Sequence, residues 1–120
     1  EYYPQGLGEC MRRYWKQYKK PIIITENGIC TSDDTKRVKA IHDYMTVIHD
    51  AMQDGVDVRG YYHWSAWDNF EWSLGPTYRF GLYSCDIQTK AKVKKPSADV
   101  YAQLAFTNTL QTANAMAMHA

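Results

Sequence analysis

At 120 residues the chain has room for one domain at most. Fourteen Lys+Arg against thirteen Asp+Glu leave a net charge of +1, which argues against a nucleic-acid or anionic-membrane partner drawn in by bulk charge. Hydrophobic residues make up 45%, a globular rather than a disordered balance. No apolar run approaches the ~20 residues of a membrane span.

In chain order, Leu7, Cys10, Met11, Tyr14 and Tyr18 recur at the helical period, which predicts a helix over 7–18 with Lys19 and Lys20 at its C-terminal end and Pro21 stopping it. Ile22-Ile23-Ile24-Thr25 is a short β-branched run, apolar on both faces as a buried parallel strand is, and Asn27-Gly28 ends it with turn chemistry. A second helix is predicted over roughly 33–54. Ile41, Met45, Ile48 and Met52 mark one face, Thr31 and Asp34 resemble a capping box, and Gly55 stands in the C′ position. Val58 to Trp64 reads as a second strand. Residues 66–79 read as a long loop, Phe80 to Asp86 as a short extended piece, and Gln88 to Lys95 as a surface turn. Ser97 is placed to cap a last helix running to about Asn108, with Val100, Tyr101, Leu104 and Ala105 on one face. Residues 111–120 are Ala/Met-rich and unpatterned and are expected to form a disordered tail.

The crossover of about 30 residues between the two strands suits a βαβ unit. Two strands do not make a stable parallel sheet, because such sheets are covered on both faces. The chain therefore reads as a slice of a larger α/β fold. It begins at Glu1 rather than Met, so a native N-terminus upstream is expected. Cys10, Cys30 and Cys85 are odd in number and widely spaced, which excludes a disulfide scaffold or zinc ribbon and favours a reduced, cytoplasmic compartment.

In α/β folds the chemistry lies beyond the C-terminal ends of the parallel strands. Glu26 stands at such an end. By position alone it reads equally as a catalytic carboxylate or as an exposed loop or capping acid. After the second strand come Asp68, Asn69 and Glu71, interleaved with Trp64, Trp67, Phe70 and Trp72. Indole faces match the apolar C–H faces of a sugar, and carboxylates and amides match its hydroxyl edge. The cluster reads as a carbohydrate site or as a packed aromatic corner with polar caps, and spacing slightly favours the corner. His42 and His49 could share a face of the second helix, but no third ligand has metal spacing. His63 reads as a satisfied barrel residue, Asp33-Asp34 as helix caps, and Arg79 as half of a structural ion pair.

These residues also carry a family resemblance. Ile22-Ile23-Ile24-Thr25-Glu26-Asn27-Gly28 is similar to the nucleophile motif of glycoside hydrolase family 1, the β-glucosidase and β-galactosidase group. Gly60-Tyr61-Tyr62-His63-Trp64-Ser65, running into Asp68-Asn69-Phe70-Glu71-Trp72, is similar to that family's last barrel strand and loop. Arg79-Phe80-Gly81-Leu82, Asp86, Lys95-Pro96-Ser97 and the earlier Tyr3-Pro4-Gln5-Gly6-Leu7 follow the family's order, so the resemblance covers about residues 2–108. Pro76 and Ala66 depart from the common pattern and bear only on the loop's shape.

The resemblance implies the C-terminal part of a (β/α)8 barrel, strands 7 and 8 with their helices, over residues 1–110. It implies a retaining β-glycosidase in which Glu26 is the nucleophile, acting on terminal β-D-glucosyl or related residues without a cofactor. It implies that Trp64 lies under the sugar, that Glu71 accepts from the 4- and 6-hydroxyls, and that Trp72 meets the 3-hydroxyl edge. Trp67 would touch the leaving group or simply pack. Members acting on 6-phosphorylated sugars lack the Glu-Trp pair, so Glu71-Trp72 implies an unphosphorylated β-linked glycoside. The family's acid/base comes from an Asn-Glu-Pro segment, and none occurs in these 120 residues. The proton donor is thus expected outside the chain. The alternative is an inactive truncated or degenerate piece with at most weak sugar binding. An endo-acting barrel glycosidase is disfavoured, because the Asp68-to-Trp72 cluster closes the end of the sugar site.

Overall fold

The computed structural model describes residues 2–110; the tail expected over 111–120 lies outside the described residues. The elements are α1 (Pro4–Tyr18), β1 (Ile22–Asn27), α2 (Asp34–Gln53), β2 (Val58–His63), a 3-10 segment (Trp72–Thr77), β3 (Tyr83–Cys85), β4 (Lys92–Lys94) and α3 (Pro96–Thr107). β1 and β2 pair in parallel across α2, as the crossover length predicts. No helix among the described residues is long and apolar enough to cross a membrane.

Helix α1 starts at Pro4 rather than Leu7, with proline in the first turn, where its missing N–H costs nothing. Its buried face also differs from the predicted one. Pro4, Gly8 and Met11 are buried and Leu7 and Trp15 pack beside them, while Cys10, Tyr14 and Tyr18 point outward. Lys19 takes the left-handed conformation that ends the helix.

Helix α2 is capped by Asp33, whose carboxylate accepts from the Thr35 N–H at 3.0 Å; the capping box expected at Thr31 does not form. Thr31 accepts from the Asp33 N–H instead. Gly55 has φ 86, the value a C′ glycine is needed for. The buried stripe runs Arg37, Ile41, Tyr44, Ile48, Ala51, and Met52 is exposed. Helix α3 starts at Pro96, so Ser97 does not cap it; that hydroxyl is buried and donates to Asp34 at 2.8 Å. Val100, Tyr101 and Leu104 pack inward, whereas Ala105 is exposed.

The stretch expected as a surface turn contains a strand. β3 and β4 form an antiparallel hairpin, and its turn is organised by Asp86, whose carboxylate accepts from the N–H groups of Gln88 and Thr89 at 3.0 and 2.7 Å. Of two apolar clusters, one joins α1 and α2 to the parallel pair and the other joins α2 to Leu82 and α3. Met11, Ile24, Ile48, Ala51 and Val56 form one, and Ile41, Leu82 and Ala98 the other. The opposite face of the pair is uncovered among the described residues, with Ile23 56% and Tyr62 62% exposed.

Candidate active site

The direction of Glu26 follows from an irregularity in β1. Ile22 and Ile24 face the helices and Ile23 faces away, the alternation every strand shows. Continued alternation would put Glu26 on the helix face with Ile24. The register breaks instead: Ile24 pairs with Tyr61 and Asn27 with His63, so three residue steps on β1 span two on β2. The extra residue is a bulge, which re-aims the side chains that follow it. Asn27 lands on the helix face, where its Oδ1 accepts from the Tyr61 hydroxyl at 3.0 Å. Thr25 and Glu26 both lie on the uncovered face. The Glu26 carboxylate makes no hydrogen bond or ion pair with any described residue.

Trp64 follows β2 directly and its N–H donates to the Asn27 carbonyl at 2.8 Å, so Glu26 and Trp64 stand at adjacent strand ends. Gly28 permits this approach: a Cβ there would lie 1.9 Å from the Trp64 carbonyl oxygen. The Trp64–Ser65 peptide is cis. A hollow of about 290 Å³ opens beside Trp64, lined by His63, Ser65, Ala66, Trp67 and Asn69 as well.

The loop carrying Glu71 and Trp72 is closed at its base. Ser65 and Phe80, Leu82 and Ser65, Tyr83 and Ala66, and Asp68 and Tyr83 are joined by backbone hydrogen bonds. Gly81 sits in this base, where a Cβ would lie 2.2 Å from the Asp68 nitrogen. Higher in the loop the Glu71 N–H donates to the Gly75 carbonyl at 2.9 Å, and Gly75 has φ 78. This turn tucks Glu71 in, so that its Oε2 is buried without a hydrogen-bond partner. Trp72 is 83% exposed. No hydrogen bond links Glu71 or Trp72 to Glu26 or Trp64 among the described residues; the two pairs share only the strand-end side of the structure.

Asp68 is not part of any open sugar site. It is buried, accepts from the Gly81 N–H at 2.8 Å and from Lys95 Nζ at 3.1 and 3.2 Å, and lies 3.8 Å from Arg79 Nη1. The ion pair expected of Arg79 is thus the longest of these contacts. Trp67 is half exposed with Lys92 Nζ 5.0 Å from its ring centre. His63 is only half satisfied: Nε2 lies 3.4 Å from the Phe80 carbonyl and Nδ1 is buried without a partner. Burial holds its pKa down at about 4.

Arg37 escaped the sequence reading. It is fully buried, donates to the carbonyls of Thr31 and Arg79, and pairs with Asp34 at 2.5 Å. It thereby ties the segment after Glu26 to the exit of the aromatic loop. Burial works to raise the Asp34 pKa, but hydrogen bonds from the Ser97 N–H and hydroxyl and from Arg37 outweigh it, and the net direction is down. A signal existed: Arg37 falls in the phase of Ile41, Tyr44, Ile48 and Ala51, and a cation inside an apolar stripe calls for a buried partner.

The profile described as "Glycosyl hydrolase family 1" matches residues 1–110. The chain belongs to that family. A β-galactosidase of Sulfolobus acidocaldarius is 42% identical over 108 residues, which are 90% of this chain and 22% of that protein. A 6-phospho-β-galactosidase of Streptococcus equi subsp. zooepidemicus is 41% identical, over 90% of this chain and 25% of that one. Among solved structures, a β-glycosidase from Pyrococcus horikoshii superposes with TM-score 0.90 at 40% identity, over 93% of this chain and 26% of that one. The chain thus spans about a quarter of the length of the family 1 relatives it matches. The parallel β1–α2–β2 unit with α1 and α3 is a segment of the family's (β/α)8 barrel architecture.

Proposed function

We propose that this chain supplies the seventh and eighth strands of a retaining β-glycosidase and that Glu26 is its nucleophile. The observation that carries the reading is the bulge in β1, which turns an unpartnered carboxylate onto the open face of the sheet beside Trp64. The uncovered Ile23 and Tyr62 on that face fit a barrel interior to which other strands contribute.

In this mechanism a Glu26 carboxylate oxygen bonds to the anomeric carbon as the bond to the leaving oxygen breaks. A general acid from a segment outside this chain gives that oxygen its proton. Water, deprotonated by the same group, then cleaves the glycosyl ester, returning the carboxylate and a sugar of unchanged anomeric configuration. Trp64 offers its ring to the C–H face of the sugar. Glu71 accepts from the sugar's 4- and 6-hydroxyls, for which its unpartnered buried oxygen is suited. Trp72, exposed on the same loop, meets the 3-hydroxyl edge. Both a β-galactosidase and a 6-phospho-β-galactosidase stand at about 40% identity, so identity does not choose between the sugar classes. The Glu71 carboxylate does: it would repel a phosphate at the 6-position. The substrate is therefore an unphosphorylated β-glycoside.

The test is the full-length protein with an aryl β-glucoside and an activated 2-fluoro-glucoside. The β-anomer as first product, and a 2-fluoroglucosyl ester on the peptide holding Glu26, are expected. An inverted product, or a label elsewhere, would overturn the assignment.

A further inference from the structure

The bulge that aims Glu26 is itself held by one side chain. Among the described residues, the Tyr61 hydroxyl makes the only side-chain hydrogen bonds to residues 25–27: 3.0 Å to Asn27 Oδ1 and 3.3 Å to the Asn27 carbonyl. That carbonyl already accepts from the Trp64 N–H. Tyr61 is fixed in turn. Its ring packs against the cluster containing Ile24, 6.3 Å from the Tyr101 ring, and its carbonyl accepts from the Tyr101 hydroxyl at 3.2 Å. Burial pushes its phenol above the usual range, so it stays a protonated donor at any pH where a glycosidase works.

Taking Glu26 as the nucleophile, we infer that Tyr61 is its positioning residue, acting through Asn27. The bond holds Asn27 on the helix face, and so leaves Glu26 on the barrel face. Were Asn27 released, regular alternation would compete and carry Glu26 toward Ile24's side of the sheet. Only a small displacement is needed, since misplacing a reacting group by about 1 Å can cost roughly 100-fold. Tyr61 touches no substrate in this role, because its ring lies on the far side of the sheet.

The test uses Tyr61→Phe and Asn27→Ala in the full-length enzyme. The first keeps the ring and its packing; the second leaves the aromatic core untouched, so it carries the test if Tyr61→Phe is insoluble. Each is expected to slow covalent trapping by the 2-fluoro-glucoside about 10- to 100-fold, with the affinity for a neutral sugar-mimicking inhibitor and the melting temperature little changed. Because both remove the bond to Asn27 Oδ1, and Tyr61→Phe also removes the weaker one to the Asn27 carbonyl, the loss in the double variant should fall well short of the product of the two single losses. A purely structural residue would lower the melting temperature and leave the trapping rate of the folded fraction intact. Wild-type trapping in either soluble variant would overturn the inference, as would independent, multiplying losses in the double. Glu26→Gln runs alongside: trapping retained there sinks the nucleophile assignment itself, whereas its loss with fast trapping in Tyr61→Phe sinks only the positioning role.

Discussion

Two kinds of carboxylate stand a few residues apart. Asp34 and Asp68 are drawn into the protein and saturated. Asp34 takes Arg37, the Ser97 N–H and the Ser97 hydroxyl; Asp68 takes Lys95, the Gly81 N–H and, more distantly, Arg79. Glu26 has no partner, and Glu71 has a buried oxygen with none. A buried polar atom left bare costs about 1–3 kcal/mol. That cost falls on Glu71 and not on Glu26, which is exposed to solvent. The satisfied pair holds the loops, and the other two are the acids that the proposed function assigns to the substrate.

The sharpest way to break this contrast is Glu26→Gln in the full-length enzyme. With no glycosyl-enzyme possible, turnover should fall well beyond the ~10²–10⁴-fold of a proton-transfer group, while the melting temperature stays put because nothing leans on the carboxylate. More than a tenth of wild-type kcat would remove Glu26 from the chemistry.

Asp68→Ala should behave in the opposite way. It strands Lys95 and the Gly81 N–H in a buried setting, and breaking a buried pair costs about 3–5 kcal/mol. Chemical denaturation of the full-length protein measures it; a loss below about 1 kcal/mol would mean that Asp68 belongs with the unsatisfied group after all.

Glu71→Ala tests the middle ground. Each charge-assisted bond to a sugar hydroxyl is worth about 1.5–3 kcal/mol, so kcat/KM should drop roughly 10- to 150-fold per bond lost, less on substrates without a 6-hydroxyl. Stability should hold, since the change also removes an unsatisfied oxygen. Equal losses with and without the 6-hydroxyl would make Glu71 a scaffold residue.

Much of the frame was legible in the residues. Triple isoleucine, the helical stripe from Ile41 to Ile48 and the crossover length dictate a parallel βαβ unit, and the unit is there. What escaped was set by tertiary context. Tyr14 and Tyr18 fit the periodicity of α1, but the helix rolls so that Pro4, Gly8 and Met11 face α2 and the sheet. Ser97 has cap chemistry, yet the helix starts two residues earlier, at Pro96, and leaves the hydroxyl for Asp34. Lys92–Lys94 reads as a polar turn because its strand is exposed on both faces and so carries no apolar alternation. At the site, the place of Glu26 at a strand end is plain from the sequence, but its direction is not: one bulge inverts the face, and no local residue announces it.

His63 offers the gentlest test, because it breaks the pattern from inside the scaffold. Its Nδ1 is bare like the Glu71 oxygen, yet the ring lies against Tyr101 on the helix side. If its bareness is a scaffold cost rather than a binding device, the cost should appear as pH-dependent stability. Burial lowers its folded pKa to about 4, whereas an unfolded histidine titrates near 6.5. Below about 6.5 the unfolded chain takes up a proton that the folded chain refuses, so the imidazole lowers stability as pH falls toward 4, and the effect levels off below that. Between pH 7 and 5 the loss should be about 1–2 kcal/mol. His63→Gln keeps the Phe80 carbonyl within reach of a donor and removes the titration, so its stability should decline less than the wild type's over the same window. Parallel curves for the two proteins would show that the proton is not excluded in the folded state, and the bare Nδ1 would then carry no such cost.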